Sequence, residues 1–229
     1  MRIAVVSDIH GNLLALEAVL ADLDKVRPDM VLHGGDLALG GPHPLEVVDR
    51  IRELDWPSVL GNTDEALAED PEVLQKRSVF VAQAAARTRE MLGPERVTWL
   101  AGRPMEWRGE GLALVHAVPG DCWGIVAHDA PDGELRQTYG PLGAGIVIYG
   151  HIHHPYIRRL DGLAVVNSGS VSLALDGDVR ATYVVFDEGR IEQRRIAYDV
   201  EQVATEMVAM GYPNAAKYSP WLRTGIWPE

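Results

Sequence analysis

Residues 2–12 read RIAVVSDIHGN, a short apolar run followed by a polar turn. The run is rich in β-branched residues and predicts a buried strand of a parallel sheet. Asp8 and His10 follow it directly, and an amphipathic helix comes next. Ligands of open α/β sheets bind at the carboxyl ends of the strands. A carboxylate and an imidazole at this edge suit a divalent transition metal, although such a pair alone could equally be a capping Asp beside an exposed His.

The composition is that of a globular protein, with 229 residues of which 47% are hydrophobic and 24% are charged. We predict one domain over residues 1–229, because the sequence contains no repeat, low-complexity tract or linker. No apolar run approaches the roughly 18 residues of a membrane span, and the first residues do not form a signal-peptide pattern. The single cysteine, Cys122, favours a cytoplasmic location, and we interpret it as a buried hydrophobe rather than a reactive thiol.

The formal net charge of -12 argues against long nucleic acids as partners, because their binding needs basic patches. It does not exclude a small phosphate ester, since bound cations can reverse the local field. We therefore expect a small phosphate-ester substrate as the partner, with no long nucleic acid and no membrane.

The spacing of apolar residues predicts helices in the first half of the chain. Asn12 is well placed to cap the first of them, and Gly93-Pro94 separates the last two. The predicted helices are 13–26, 45–54, 72–92 and 95–100.

Strands are predicted from apolar runs and, beyond residue 104, from an alternating pattern. Asp161-Gly162 is a strong hairpin turn, and Asp199 with Gln202 forms a capping box for a late helix. We also expect a short helix near 134–138 and another in the tail. The predicted strands are 2–6, 30–32, 57–60 and 146–149, and the predicted hairpins are 105–115, 156–166 and 180–197.

Side chains that can bind metals follow five of the predicted strands. They are Asp8 and His10, Asp36, Asn62, His116, and His151 with His153. Each alone could be a helix cap or an ordinary histidine, but the strand ends of one sheet converge in space. Two Asp, one Asn and four His exceed the needs of one metal and suit two cations that share a carboxylate, for which Asp36 is the natural bridge. Two cations roughly 3.5–4 Å apart can clamp a phosphoryl group and hold a hydroxide nucleophile.

These motifs resemble those of the calcineurin-like metallophosphoesterases, and they occur in that family's order. The resemblance implies an α/β fold, a four-layered α/β/β/α sandwich of two facing mixed sheets with flanking helices. It also implies that the C-terminal third forms much of the second sheet. The matching stretches are Asp8-Ile9-His10, Gly35-Asp36, Gly61-Asn62, His116 and Gly150-His151-Ile152-His153.

Carried over residue by residue, the resemblance implies two divalent metal ions. One ion would be held by Asp8, His10 and His153. The other would be held by Asn62, His116 and His151, with Asp36 bridging the two. We expect manganese, although iron, zinc and nickel also suit these ligands. Within this set, the candidate catalytic residues are Asp36, Asn62 and His116.

Position 63 departs from the family pattern, because many members have a histidine where this chain has Thr63. A lost general acid costs about 10²–10⁴ in rate, and a monoanionic diester needs that acid less than a dianionic monoester. We therefore expect phosphodiesters to be preferred, with Asn12 and Thr63 as candidate substrate contacts. A loop histidine could supply the missing acid, the candidates being His33, His43 and His128.

Other activities remain open at this stage. A phosphomonoesterase acting on phosphoproteins or nucleotides would use the same scaffold. A scaffold protein that has lost its metals is a second alternative, which predicts missing ligands. A nucleotide-binding α/β protein is disfavoured, because the sequence has no suitable Gly-rich phosphate loop.

Overall fold

The computed structural model describes residues 1–228, which form nine strands and eight α-helices. The strands are β1 (Arg2–Val6), β2 (Met30–His33), β3 (Glu106–Gly109), β4 (Leu112–Val115), β5 (Ile146–Tyr149), β6 (Tyr156–Leu160), β7 (Leu163–Asn167), β8 (Ala181–Asp187) and β9 (Arg190–Ile196). The helices are α1 (Leu13–Val26), α2 (Pro44–Leu54), α3 (Asn62–Ala68), α4 (Pro71–Arg77), α5 (Val79–Ala101), α6 (Asp132–Tyr139), α7 (Val200–Ala209) and α8 (Ala215–Thr224).

The strands form two mixed sheets, in the orders β2-β1-β8-β9 and β3-β4-β5-β7-β6. In the first sheet β1 is parallel to β2 and antiparallel to β8, and in the second β4, β5 and β7 are parallel. Two mixed sheets are thus confirmed. The expectation that the C-terminal third forms much of the second sheet is only half right. The hairpin β8–β9 completes the first sheet beside β1, and only β6 and β7 join the second.

The alternating side chains of the strands divide the core into layers. Ile3 and Val5 of β1 point between the sheets and pack with residues such as Ile148 of β5. Ala4 and Val6 point the other way, into the core formed with α1, α2 and the C-terminal helices. Helix α6 covers the outer face of the second sheet. The arrangement is the expected α/β/β/α sandwich.

Residues 57–60 do not form the predicted strand. They make one isolated parallel bridge between His33 and Ser58, because Pro57 has no N–H to extend the ladder. The segment still runs beside β2: His33 N donates to Pro57 O at 3.0 Å, and Val59 N donates to His33 O at 3.0 Å. It therefore delivers Asn62 to the same edge as a strand would.

The single helix predicted over residues 72–92 is interrupted in the structure. The break falls at Ser78, which caps α5 by accepting a hydrogen bond from Val81 N at 3.2 Å. Gly93 has non-helical dihedrals, φ 71° and ψ 167°, so α5 consists of two helical parts that meet at a kink there, as predicted for Gly93-Pro94. Helix α3 was not predicted as a separate element. None of the helices within residues 1–228 combines the length and apolar character that crossing a membrane requires.

Candidate metal centre

All seven candidate ligands converge on one edge of the sandwich, where both sheets end. Asp8 and His10 follow β1, and Asp36 follows β2, both in the first sheet. His116 follows β4, and His151 and His153 follow β5, both strands of the second sheet. Asn62 is the first residue of α3. The prediction that one sheet supplies every ligand is therefore wrong, because the two facing sheets share the site. The ligands from the second sheet are His116, His151 and His153.

The backbone at this edge is bent into the left-handed region at five of the candidate ligands. The φ values are 57° at Asp8, 50° at His10, 60° at Asp36, 62° at His151 and 52° at His153. A non-glycine residue in this region costs roughly 1–2 kcal/mol, and such residues concentrate at functional sites. Backbone hydrogen bonds between the β1 and β2 turns maintain the bends, with Asp8 N donating to Gly35 O and His10 N to Asp36 O, both at 3.0 Å.

Asp8, His10 and His153 form the first buried triad of possible metal ligands. His153 Nε2 lies 3.2 Å from Asp8 Oδ1 and 3.1 Å from His10 Nε2. Each Nδ1 faces a carbonyl oxygen, Leu39 O for His10 and Leu173 O for His153, both at 2.6 Å. A carbonyl can only accept, so each Nδ1 carries a hydrogen and, in the neutral rings, the Nε2 lone pairs face Asp8. This is the orientation that metal-binding histidines need.

The second group surrounds Asp36, which with Asp8 and His116 forms another buried triad. His116 Nδ1 donates to Gly34 O at 2.8 Å, which leaves its Nε2 free to bind a metal. That Nε2 lies 2.9 Å from Asn62 Oδ1, and His151 Nδ1 lies 3.0 Å from the same oxygen. Three groups that can act as metal ligands therefore converge beside Asp36.

Asp36 lies between the two groups of ligands. Its Oδ2 is 3.7 Å from His10 Nε2, and its Oδ1 is 3.6 Å from His116 Nε2. Thr63 N donates to Oδ1 at 2.9 Å and holds the carboxylate in place. One carboxylate that faces both groups has the position required of a bridging ligand.

The protonation of the site depends on burial and on the two carboxylates. Burial lowers the pKa of His151 to about 4 and also lowers the pKa of His10. Burial acts in the same direction on His116 and His153, but Asp36 and Asp8 outweigh it and raise the pKa of both rings. A metal ion would compete with protons for these rings, as is usual for histidine ligands. Two imidazole-carboxylate triads of this kind are consistent with a dinuclear metal site.

Asp64 is a residue of the site that the sequence did not single out, because it could be read as a simple helix cap. Its carboxylate accepts from Asp36 N at 2.7 Å, Leu37 N at 3.0 Å and Gly61 N at 3.3 Å. Burial and the nearby Asp36 raise the pKa of Asp64 to about 7. Asp64 thus ties the turn that carries Asp36 to the start of α3.

Asn12 is a helix cap and not the predicted substrate contact. It is fully buried, its Oδ1 accepts from Ala15 N at 3.0 Å, and its Nδ2 donates to Ser172 Oγ at 3.0 Å. Both ends of the amide are engaged within the protein, which contradicts a direct contact with a phosphate. Thr63 is also buried, and its hydroxyl has no hydrogen-bond partner within residues 1–228.

The side chains of the three candidate acids contact groups other than the candidate ligands. His33 is buried, its Nδ1 accepts from Gly35 N at 3.0 Å, and burial lowers its pKa to about 4. His43 pairs with Glu206 at 3.1 Å, and His128 stacks on His154 with 3.8 Å between ring centroids. In the described part of the chain, none of the three candidates hydrogen-bonds to any of the seven ligands.

Cys122 matches its interpretation as a buried residue. It is a free thiol that is 3% exposed. Burial, with a contribution from Glu65, raises the pKa of Cys122 to about 12, so it is not a thiolate at neutral pH.

Adding Mn²⁺ to chelator-treated protein is expected to raise the unfolding temperature, because the ions bind the folded ligand cluster. One site saturated at a hundred times its Kd adds about 2.7 kcal/mol, which is about 5–10 °C for a domain of this size. Differential scanning calorimetry with and without Mn²⁺ measures the shift. Asp49→Ala, which alters a carboxylate on α2 paired with Arg96, should show the same shift. An unchanged unfolding temperature with Mn²⁺, Fe²⁺, Zn²⁺ and Ni²⁺ would favour a metal-free scaffold.

Comparison with known proteins identifies the family. The model of the calcineurin-like phosphoesterase superfamily domain matches residues 1–190, which include all seven candidate ligands. The uncharacterized protein MJ0912 of Methanocaldococcus jannaschii is 30% identical to the chain over 235 residues, covering 93% of this chain and 94% of that protein.

Solved structures share the whole architecture. A metallophosphoesterase from Sphaerobacter thermophilus has a TM-score of 0.83 and 28% identity, covering 99% of this chain and 100% of that chain. The hypothetical protein PH1004 from Pyrococcus horikoshii OT3 has a TM-score of 0.89 and 19% identity, with 99% of both chains covered, so its likeness concerns the fold. Since the family model spans most of the chain, this protein belongs to the calcineurin-like phosphoesterase superfamily.

Proposed function

We propose that this protein hydrolyses small phosphate esters, with a preference for phosphodiesters, at a centre of two divalent metal ions. The observation that carries the proposal is the position of Asp36 between two groups of buried ligands, 3.7 Å from His10 and 3.6 Å from His116. None of the seven ligands that the family pattern requires is replaced, which argues against a scaffold that has lost its metals.

The ligands divide between the two ions as the family pattern implies. Asp8, His10 and His153 hold one ion, and Asp36 bridges it to the second. The second ion has its own three ligands, which are Asn62, His116 and His151. We favour manganese, with iron, zinc and nickel as ions that suit the same nitrogen and oxygen donors. When bound, such a pair supplies Lewis acidity toward a phosphoryl oxygen and makes water a nucleophile at neutral pH.

The chain's own residues fix the centre before a substrate arrives. The carbonyls of Leu39 and Leu173 orient His10 and His153, and the Thr63 amide holds the Asp36 carboxylate. The ligands therefore do not have to rearrange when charge develops on the phosphoryl group. Such preorganised electrostatics are usually the largest single contribution to catalysis.

The preference for diesters rests on position 63 and on charge. The side chain of Thr63 cannot act as the imidazole acid that many family members carry there. The candidate replacements form their own contacts, His43 with Glu206 and His128 with His154. A chain with a net charge of -12 also repels a dianionic monoester more than a monoanionic diester. The same charge is the reason to propose a small substrate instead of a long nucleic acid.

Hydrolysis of an aryl phosphodiester is expected to exceed that of the matched aryl monoester in the presence of Mn²⁺. Thr63→His should then raise the monoester rate relative to the diester rate by about tenfold or more, because a positioned acid contributes about 10²–10⁴ in rate. Steady-state kinetics on both esters measure the ratio. Thr98→His, an exposed position on α5, is the control and should leave the ratio unchanged.

A wild-type enzyme that prefers the monoester would overturn the diester preference and favour a nucleotide or phosphoprotein phosphatase. A screen of diesters, nucleotides and phosphopeptides separates these substrate classes.

We also propose a cytoplasmic location, which the free, buried thiol of Cys122 supports.

A further inference from the structure

The C-terminal helices α7 and α8 lie beyond residues 1–190 that match the family model, yet they reach the metal centre. Their apolar faces pack into the core that lies outside the first sheet, through residues such as Met207 and Leu222. Two of their polar atoms point instead at loops beside the candidate ligands. These atoms are the Tyr212 hydroxyl, between the helices, and the Trp221 indole nitrogen on α8.

Tyr212 holds the peptide group that orients His10. The Leu39 carbonyl accepts from His10 Nδ1 at 2.6 Å, and the N–H of the same peptide group, that of Gly40, donates to Tyr212 Oη at 2.9 Å. Because a peptide group is planar, fixing its N–H also fixes the direction of its carbonyl. Tyr212 is 2% exposed, so this hydrogen bond is sheltered from water.

Trp221 holds the corresponding loop at His153. The Leu173 carbonyl accepts from His153 Nδ1 at 2.6 Å, and the next carbonyl, that of Ala174, accepts from Trp221 Nε1 at 2.7 Å. The loop closes on the ligand because Leu175 N donates to His153 O at 3.1 Å. The Trp221 and His153 rings also stack, with 6.1 Å between centroids and 23° between planes.

The ligands proposed for the second ion are oriented from inside the two sheets. His116 Nδ1 donates to Gly34 O, and Gly34 N donates to Val6 O of β1, both at 2.8 Å. Within residues 1–228, no hydrogen bond from α7, α8 or their connection reaches Asn62, His116, His151 or Gly34. The C-terminal helices therefore contact only one half of the centre.

We infer that Tyr212 and Trp221 are positioning residues that set the affinity of the Asp8, His10 and His153 site separately from that of its neighbour. The inference rests on the metal centre of the proposed function. Loss of either hydrogen bond frees a loop whose carbonyl orients an imidazole, and loss of such an outer contact typically weakens metal binding about 10–100-fold. This gives the two ions different affinities that the C-terminal segment controls.

The test is a Mn²⁺ titration of the full chain against a competing chelator, which yields two dissociation constants for the wild type. His153→Ala and His116→Ala identify the two constants, because each variant removes a ligand of one ion. Trp221→Phe and Tyr212→Phe are each expected to raise about tenfold the constant that His153→Ala abolishes. The other constant should stay within about twofold. Circular dichroism establishes whether each variant is folded. If Trp221→Phe does not fold, the test rests on Tyr212→Phe, which loses only one hydroxyl.

Two control variants remove comparable groups far from the ligands. Tyr183→Phe deletes a buried hydroxyl that donates to Asp22 at 2.8 Å, and Trp99→Phe alters a ring that stacks on Arg103 at 4.5 Å. Neither should change either constant. The inference would be overturned if the variants changed both constants equally, changed only the constant of the other ion, or changed neither constant by as much as twofold. A wild type that binds fewer than two ions would also overturn it. Hydrolysis is not measured, so a protein that binds both ions but is inactive contradicts the proposed function alone.

Discussion

Asp36→Ala is expected to lower kcat/KM for a phosphodiester by about 10³-fold or more and to weaken both metal sites. The carboxylate faces both ligand groups, 3.7 Å from His10 Nε2 and 3.6 Å from His116 Nε2, so its loss removes a ligand from each of the two proposed sites. Stabilisation of the transition state by a metal is worth several kcal/mol, and each 1.36 kcal/mol is tenfold in rate. Metal analysis after gel filtration and steady-state kinetics measure the two effects.

The matched variant Asp36→Asn separates charge from shape. It keeps an oxygen that can accept from Thr63 N, a hydrogen bond of 2.9 Å in the wild type, but it removes one negative charge from between the two proposed cation sites. We expect the Asp36→Asn protein to retain the fold and to bind both ions, each with lower affinity than in the wild type. Asp49→Ala, on the surface of α2, should behave as the wild type. An Asp36→Ala protein that retains two ions and full activity would show that Asp36 is not the bridge.

The convergence of the seven candidate ligands could be predicted because each of them follows a short apolar run within a few residues. Asp8 after β1 and His116 after β4 are examples in which a local pattern determines a place on the edge of a sheet. The sharing of the site between two sheets could not be predicted in this way. It depends on β8 pairing with β1, where Ile3 lies opposite Phe186. No local pattern encodes a pairing between residues so far apart in the chain.

The groups that orient the ligands were missed for a different reason. Leu39 and Leu173 act through their carbonyl oxygens, and a backbone group leaves no signature in the residue type. Leu173 also has a φ of 58°, which is unusual for a residue of its size and would not be expected from sequence. The role of Asp64 could not be inferred from its residue type, since an acidic residue in the first turn of a helix is common without any further role.

The bent backbone explains why the centre depends on its surroundings. Positive φ at five candidate ligands costs several kcal/mol in total, which is comparable with the whole stability of a typical domain. Hydrogen bonds between neighbouring turns and the packing of two sheets maintain these conformations. The same bends let both members of a pair lie at one edge of the sandwich although only two positions separate them. The pairs are Asp8 with His10 and His151 with His153.

Gly61→Ala is expected to disrupt the centre through a single added methyl group. A Cβ at Gly61 would overlap Asp36 Oδ1 and Asp36 N, and it would lie 2.9 Å from Asp36 Cγ. The backbone at Gly61, with φ -89° and ψ 160°, is one that alanine adopts freely, so the effect comes from contact and not from strain. Asp36 must move, and we expect loss of the Mn²⁺-induced rise in unfolding temperature and a fall in activity of about 10² or more.

Gly133→Ala is the matched control, because a Cβ there meets no atom within 4 Å. It lies in α6, where alanine is the better helix former, so its stability should be unchanged or slightly higher. Calorimetry with and without Mn²⁺ and the aryl diester assay compare the two variants directly. If Gly61→Ala binds two ions with wild-type affinity, Asp36 can retreat from position 61 and still bridge. The close approach of α3 to the β2 turn would then be dispensable. If only Gly61→Ala loses the ions, that approach is what holds the bridging carboxylate between them.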